Sequence, residues 1–497
     1  MILIAYLLIS AVAIALIAKS RSNRQMNAVA VMHSLIFCTI TAVLMITGNI
    51  PVSAFLVGSE FFFIDHLGIC EALISTIIFT LAAIYAGGYV ESLLALGELR
   101  RGSLRLFYAC WILLLLVITL AFFSDNLALF WIFAEMTTII SAMLVAILSA
   151  RENIDAAIKY IFIASAAMLF SFAGFIFLFE VSRTASGEGS LNWTVLMQHA
   201  ATYPPGMMTV VFILVFIGFA AKSGIFPFHT WLPEAHAKAP SAVSAVLSGV
   251  LLNIGIYAIL RMTAIIHLNP ASAVAYQVMM VFGIFTIGIA ALSMLPQKNL
   301  KKLIAFSSIE NMGLMVIGCA VMTPLAIFWV IFHIMAHTFT KAGLFFSAGI
   351  LHRQYHSPFS GEAPDEIQDI FRLQPLAAWG IILGGLAITA IPPSPLFFSE
   401  IFILAQLGTQ SLFFAILVLL LLFIAAASLG YFIIVAFTRK QENSNGDSHS
   451  VGTAPYITPV GMKVPIIILV IAVAGLGILV PGPVSGIIHQ IVAELRF

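Results

Sequence analysis

Apolar residues run along this chain in long blocks, separated by short polar punctuation such as LIAKSRSNRQ (from Leu16) and ELRRGSLR (from Glu98). The blocks are apolar on all sides rather than on one stripe, which is the pattern of helices solvated by lipid. Crossing about 30 Å of hydrocarbon takes about 20 helical residues. About fourteen segments qualify, near 1–18, 28–48, 67–90, 105–122, 126–148, 155–181, 206–225, 241–263, 272–294, 301–321, 323–350, 376–405, 412–437 and 463–482. Two carry helix breakers. The seventh runs into Gly224 and Pro227, and the twelfth contains IPPSPLFF, with Pro392, Pro393 and Pro395 inside an apolar run. Proline removes a backbone donor and clashes one turn back, so both helices are predicted to be interrupted. Irregular backbone at membrane depth survives only inside protein or beside a wet cavity.

The basic residues test the count. Alternate loops hold Lys19, Arg21 and Arg24; Arg100, Arg101 and Arg105; Arg151 and Lys159; Lys238; Lys298, Lys301 and Lys302; Arg353 and Arg372; and Arg439, Lys440 and Lys463, which is 17 of the 22 Lys and Arg. The bias of basic residues toward the cytoplasm then places both termini outside. The stretch RKQENSNGDSHSVGTAPYITPVG, from Arg439, is the one long polar loop, and it reads as a flexible cytoplasmic connection.

Composition agrees. Hydrophobic residues make up 62% and charged residues 9% of 497, against roughly a quarter charged in a soluble domain. Cys38, Cys70, Cys110 and Cys319 lie far apart in apolar runs, so they read as small buried hydrophobes rather than metal or redox ligands. Met1 to Ile17 lacks a basic region before it and a cleavage site after it, and is expected to be a retained helix.

Ionisable residues within such segments cost roughly 2.5–3.5 kcal/mol each on insertion scales, so each needs a reason. Lys222 either snorkels toward the nearby break or gains and loses a proton there. Glu135, in LFWIFAEMTTII, either caps another helix or pairs with Lys222. His333, His337 and Lys341 recur every four residues in FHIMAHTFTKAGLF, sharing one face with about 6 Å of rise between neighbours. Two histidines at that spacing can bind zinc, but nothing supplies the remaining ligands. The other readings are a polar stripe satisfied by neighbouring helices, or a proton relay. Glu400 follows the PPSP break, and Glu310 is mid-span in AFSSIENMGL. His229, Glu234 and His236 fall in a short interfacial piece, either as the cytoplasmic mouth of a path or as surface residues. Asp65, Glu71, Asp125 and Glu180 sit near segment ends, where capping and interface anchoring account for them.

Glu135 and the broken Lys222 segment are the fifth and seventh spans, while Glu310 and the broken Glu400 segment are the tenth and twelfth. An offset of five spans inverts one unit relative to the other, a common transporter plan. The expected organisation is an all-α integral membrane protein with two inverted five-helix repeats: 1–104 N-terminal helices, 105–263 and 272–437 the repeats, and 438–497 a cytoplasmic loop with the last helix.

Three blocks carry a resemblance: KSGIFPFHTWLPEAHAKAPSAVSAVLSGVLLNIGIYAILRM, KKLIAFSSIENMGLMVIG and HTFTKAGLFF. They resemble the antiporter-like subunits of respiratory complex I, membrane-bound [NiFe] hydrogenases, formate hydrogenlyases and multisubunit cation/proton antiporters, over residues 60 to 435. SIENMG, VLLNIGIY and PPSPLFFSE are most similar to the hydrogenase-4 component F family. The resemblance implies a proton path through Glu135, Lys222, His337, Lys341 and Glu400. It also implies other membrane subunits, a peripheral redox module of [NiFe] type with iron–sulfur subunits, and the cell membrane of a bacterium or archaeon. Asn253 stands where many relatives have lysine or histidine. Asparagine takes up no proton, so the link from Lys222 to His337 either runs through water there or is broken.

The expected function is proton translocation by a non-redox subunit of an oxidoreductase. Separating Glu135 from Lys222 would send a proton along His337, Lys341 and Glu400. With no cysteine cluster and no glycine-rich nucleotide loop, no cofactor is expected in this chain, and no nucleic-acid partner. The alternatives are a Na⁺/proton antiporter subunit and a non-conducting structural subunit.

Overall fold

Thirteen helices are long and apolar enough to cross a bilayer among the residues that the computed structural model describes, namely 2–48, 50, 52–56, 59–148, 150–355, 369–438, 456–478 and 480–497. In chain order the helices begin with α1 (Ile2–Lys19) and α2 (Asn23–Thr47). A hairpin follows, β1 (Val52–Leu56) and β2 (Ser59–Ile64). Then come α3 (His66–Ala95), α4 (Leu104–Phe122), α5 (Leu127–Val145), α6 (Arg151–Ser186), α7 (Trp193–His199) and α8 (Pro205–Lys222). The short α9 (Trp231–Lys238) precedes α10 (Ser241–Val246) and α11 (Leu252–His267), which one π turn at Leu247–Leu251 joins into a single span. The remainder are α12 (Ser272–Met294), α13 (Leu300–Val321), α14 (Pro324–Tyr355), α15 (Ile370–Leu373), α16 (Pro375–Ile388), α17 (Pro395–Gln410), α18 (Leu412–Thr438), α19 (Val460–Ile478) and α20 (Gly482–Glu494).

Both expected breaks are present, and the first lies closer to the lysine than proline placement suggests. α8 ends at Lys222 itself, because Gly224 takes a left-handed φ of 69° and Ile225 N–H returns to the Ala220 carbonyl at 2.9 Å. The Trp231 indole occupies the free Ala221 carbonyl at 3.0 Å. The twelfth segment is two helices, α16 and α17, with Ser394 capping the second through Phe397 N–H at 3.2 Å. Counting this broken pair as one span reconciles thirteen long helices with fourteen segments.

Three elements differ from the sequence reading. The hairpin is one: Phe62 and Ile64 face inward while Phe61 is exposed, the period of a half-buried strand within a short apolar run. The π turn is the second. The third is α20, which lies beyond the last expected span and returns to α3, where Glu494 accepts from His66 N–H at 3.0 Å and meets its Nδ1 at 2.5 Å. The expected loop at 438–461 falls largely outside the described residues, as 439–455 are not described.

α10–α11, α13 and α14 form the buried centre. α14 packs against α3, α10, α13, α16, α17, α19 and α20. α1, α2, α18 and α19 expose long apolar faces, as lipid-facing helices do. The helix-end reading holds for three acids. Asp65 caps α3 through Gly68 N–H at 2.8 Å, Asp125 accepts from Thr194, and Glu180 pairs with Arg183. It fails for Glu71.

Candidate functional site

Lys222 is 1% exposed at the C-terminal end of α8. Its ammonium donates to Ala134 O at 2.9 Å, Thr137 Oγ1 at 2.8 Å and Thr138 Oγ1 at 2.5 Å, all on α5. An ammonium has three donors and each finds an acceptor, so this lysine does not snorkel. The expected ion pair with Glu135 is not formed. The Glu135 carboxylate turns the other way and accepts from Ser165 on α6, with its second oxygen buried and unpartnered. The α5 sequence explains both contacts. Thr137 and Thr138 sit two and three positions beyond Glu135 and therefore point across the helix from it.

Moving inward, Ser223 donates to the Leu252 carbonyl at 3.0 Å, joining the end of α8 to the start of α11. The next residue, Asn253, is 1% exposed. Its amide nitrogen donates to Glu71 Oε2 at 3.3 Å and Thr338 Oγ1 at 3.1 Å. Thr338 in turn donates to Gly249 O, inside the π turn, at 2.6 Å. Asn253 thus connects the Lys222 side to α14, as a polar contact rather than a gap. Glu71 is the functional candidate that the segment-end reading passed over.

On α14, His333 and His337 stack with ring centroids 6.4 Å apart and planes 13° from parallel. Both nitrogens of His337 are buried without a partner, whereas His333 contacts Ser399 and Asn311 at 2.8 Å each. The Asn311 amide nitrogen is committed to Ser307 O and Glu310 Oε2, so its oxygen faces His333 Nε2, which carries the proton. Lys341, fully buried, donates to Ile304 O at 2.8 Å and to the Ser307 hydroxyl of α13. Ser308 and Ser248 meet at 2.8 Å between α13 and the π turn. Glu310 and Glu400 line one cavity of about 200 Å³ between α13, α17 and α18.

His229 and His236 do not form a shared mouth. His236 is fully buried and stacked on Phe345 at 4.8 Å, with both ring nitrogens unpartnered. It is a core residue because α9 folds back under α13. His229 is half-buried, and Glu234 pairs with Lys302 at 2.9 Å. Among the described residues no three His, Cys, Asp or Glu side chains converge as metal ligands.

The arrangement is a chain of amines, hydroxyls, amides, imidazoles and carboxylates, buried across the middle of a helical membrane protein. Groups of this kind exchange protons when they or intervening waters come within hydrogen-bond reach. A broken-helix, multi-pass fold with such a chain defines the antiporter-like class of membrane subunits.

Residues 124–424, more than half of the sequence, match the family described as NADH:quinone oxidoreductase/Mrp antiporter, transmembrane, and the chain belongs to that family. Among relatives, it is 33% identical over 355 residues to the hydrogenase-4 component F homolog of Methylacidiphilum infernorum, covering 71% of this chain and 74% of that one. It is 28% identical over 349 residues to hydrogenase-4 component B of Escherichia coli, covering 68% of this chain and 49% of that one. Its fold is similar to a chain of the membrane-bound sulfane sulfur reductase, an archaeal respiratory membrane complex, with a TM-score of 0.85 at 21% identity, covering 99% and 96% of the two chains. It is also similar to a chain of the Mrp complex from Dietzia sp. DQ12-45-1b, with a TM-score of 0.82 at 18% identity over 100% and 99%. These relatives belong to multisubunit membrane complexes.

Proposed function

We propose that this chain translocates protons as a non-redox membrane subunit of a multisubunit oxidoreductase of hydrogenase-4 or complex I type. The reading rests above all on the buried polar chain from Lys222 through Asn253, Lys341 and His333 to Glu310 and Glu400. Burying that many ionisable groups at membrane depth is costly and needs a function to retain it. Glu135, half-buried on the flank of α5, is where a neighbouring subunit's charge would be felt, and Lys222 is one turn away on the interior side. The two inverted halves, 105–263 and 272–437, with both termini outside the cytoplasm, complete the proposal.

The test is Lys222→Ala in the assembled complex, read as proton uptake by inverted membrane vesicles with complex abundance checked on native gels. Loss of translocation with assembly preserved is expected; acidification at the wild-type rate refutes the reading. A second reading, cation/proton exchange, is favoured by one observation, the two carboxylates facing a single cavity. Carboxylate oxygens bind Na⁺ as well as protons. Activity that requires sodium, and that Glu400→Gln makes sodium-independent, would favour it.

A further inference from the structure

We infer that Glu71 of α3 is a proton-carrying member of the central chain, bound at the point where Asn253 itself carries none. This rests on the proton-path reading above and adds a residue and a helix to it.

Glu71 belongs to α3, outside the helices that carry the rest of the chain. It is 2% exposed, and its carboxylate meets Asn253 in the middle of the α10–α11 span. Among the described residues no Lys, Arg or His nitrogen lies within 4.0 Å of it. The nearest buried cation on this side, Arg261, is committed to Asp65 and Tyr257. A buried carboxylate without a cation is expensive as an anion and inexpensive as an acid. A structural role would be served equally by glutamine, which offers the same shape and can hydrogen-bond Asn253. An acid there adds only one capacity, the ability to hold a proton.

The surroundings suit that capacity. The Asn253 Oδ1 atom is buried and unpartnered beside the carboxyl, and both His337 nitrogens are unpartnered on the residue next to Thr338. Asn253 bonds both Glu71 and Thr338, so the carboxyl sits between the Lys222 end and the His337 end. The titratable groups that act on Glu71 directly are Cys70 of its own helix and Tyr257 of α11. On the other helices packed against α3, His33 of α2 meets Ser10, Tyr108 of α4 donates to Asn23, Lys463 lies on α19, and His489 and Glu494 lie on α20. α14 supplies His333, His337 and Lys341.

The experiment compares Glu71→Gln, Glu71→Gln with Asn253→Lys, and Lys222→Ala, each in the assembled complex, with redox turnover and proton uptake measured together in inverted vesicles. The expectation is a fall in protons per turnover of roughly tenfold or more for Glu71→Gln, the scale of a lost proton-transfer group. Asn253→Lys, which returns a titratable group to the same point, is expected to recover most of it. Wild-type translocation by Glu71→Gln beside a loss with Lys222→Ala overturns the role of Glu71 and leaves the path. Wild-type translocation by both overturns the path itself. A loss that the added lysine does not restore assigns Glu71 to packing and overturns the inference. Should Glu71→Gln fail to assemble, infrared difference spectra of wild type against Glu71→Asp across pH decide the matter. A carboxylic-acid band that moves with the substitution supports the inference, and its absence refutes it.

Discussion

Replacing Asp65 with Asn isolates the value of one buried charge. The Asp65–Arg261 pair is bidentate at 2.6 and 2.8 Å, with side chains 1% and 5% exposed. Asparagine keeps the α3 cap to Gly68 N–H and nearly the same volume. What it removes is the negative charge and one of two acceptors, leaving the guanidinium buried. Breaking a buried pair in this way typically costs about 3–5 kcal/mol. Here Arg261 retains its bond to the Tyr257 hydroxyl at 2.6 Å and lies 4.3 Å over Trp193 and 4.7 Å over the Tyr257 ring. Such cation–π contacts recover about 1–2 kcal/mol when desolvated. The expected cost is therefore near the lower end, about 3 kcal/mol, or roughly a hundredfold in the folded-to-unfolded ratio. Equilibrium unfolding of the purified chain in mixed micelles, followed by helical circular dichroism, measures it. The double variant Asp65→Leu with Arg261→Met should regain most of the loss, because a well-packed apolar replacement has no charge to strand. A cost below about 1 kcal/mol for Asp65→Asn, or a double variant worse than the single, would refute the reasoning.

Three further outcomes are expected. Thr138→Val leaves one donor of Lys222 buried without an acceptor and should cost about 1–3 kcal/mol in the same unfolding assay, while the exposed Ile139→Val should cost far less. At Gly255 an added Cβ would sit 2.6 Å from the Phe219 carbonyl, so Gly255→Ala should push α11 from α8 and reduce thermal retention of the monodisperse peak in detergent. Glu494→Gln weakens a partly exposed contact at the α3 N-terminus, worth about 1 kcal/mol or less. It should raise hydrogen exchange in α20 without changing the global unfolding midpoint measurably.

The spans, both helix interruptions and the shared face of His333, His337 and Lys341 were legible in the sequence, because lipid solvation and helical period act on contiguous residues. The Lys222 seat was half legible. EMTT supplies both the carboxylate and the hydroxyls, and charge complementarity pointed to the former, but helix geometry aims the hydroxyls inward and Glu135 outward. Glu71 was missed for a geometric reason. Distance from the end of an apolar segment is a poor measure of depth when the helix starts inside the protein, as α3 does at buried Asp65. The joining of Glu71 to Asn253, 182 positions apart, has no local signature at all. Nor does the π turn, since SAVSAVLSGVLL reads as uninterrupted helix.

That π turn sets an angular phase. A π turn takes up one residue more than an α turn, and one residue of an α-helix is about 100° of rotation. Every side chain of α11 is therefore offset by about that angle from where an unbroken α10 would have aimed it. Ser248, within the turn, addresses α13, and Asn253, just past it, addresses α3 and α14. The widened ladder also presents Gly249 O to Thr338 and Leu252 O to Ser223, fastening the turn from two sides. A single-residue deletion there, such as loss of Val250, would keep the span, its hydropathy and all of its side chains but one. It would nevertheless swing Asn253 away from Glu71, so that the chain would be disconnected by misalignment alone.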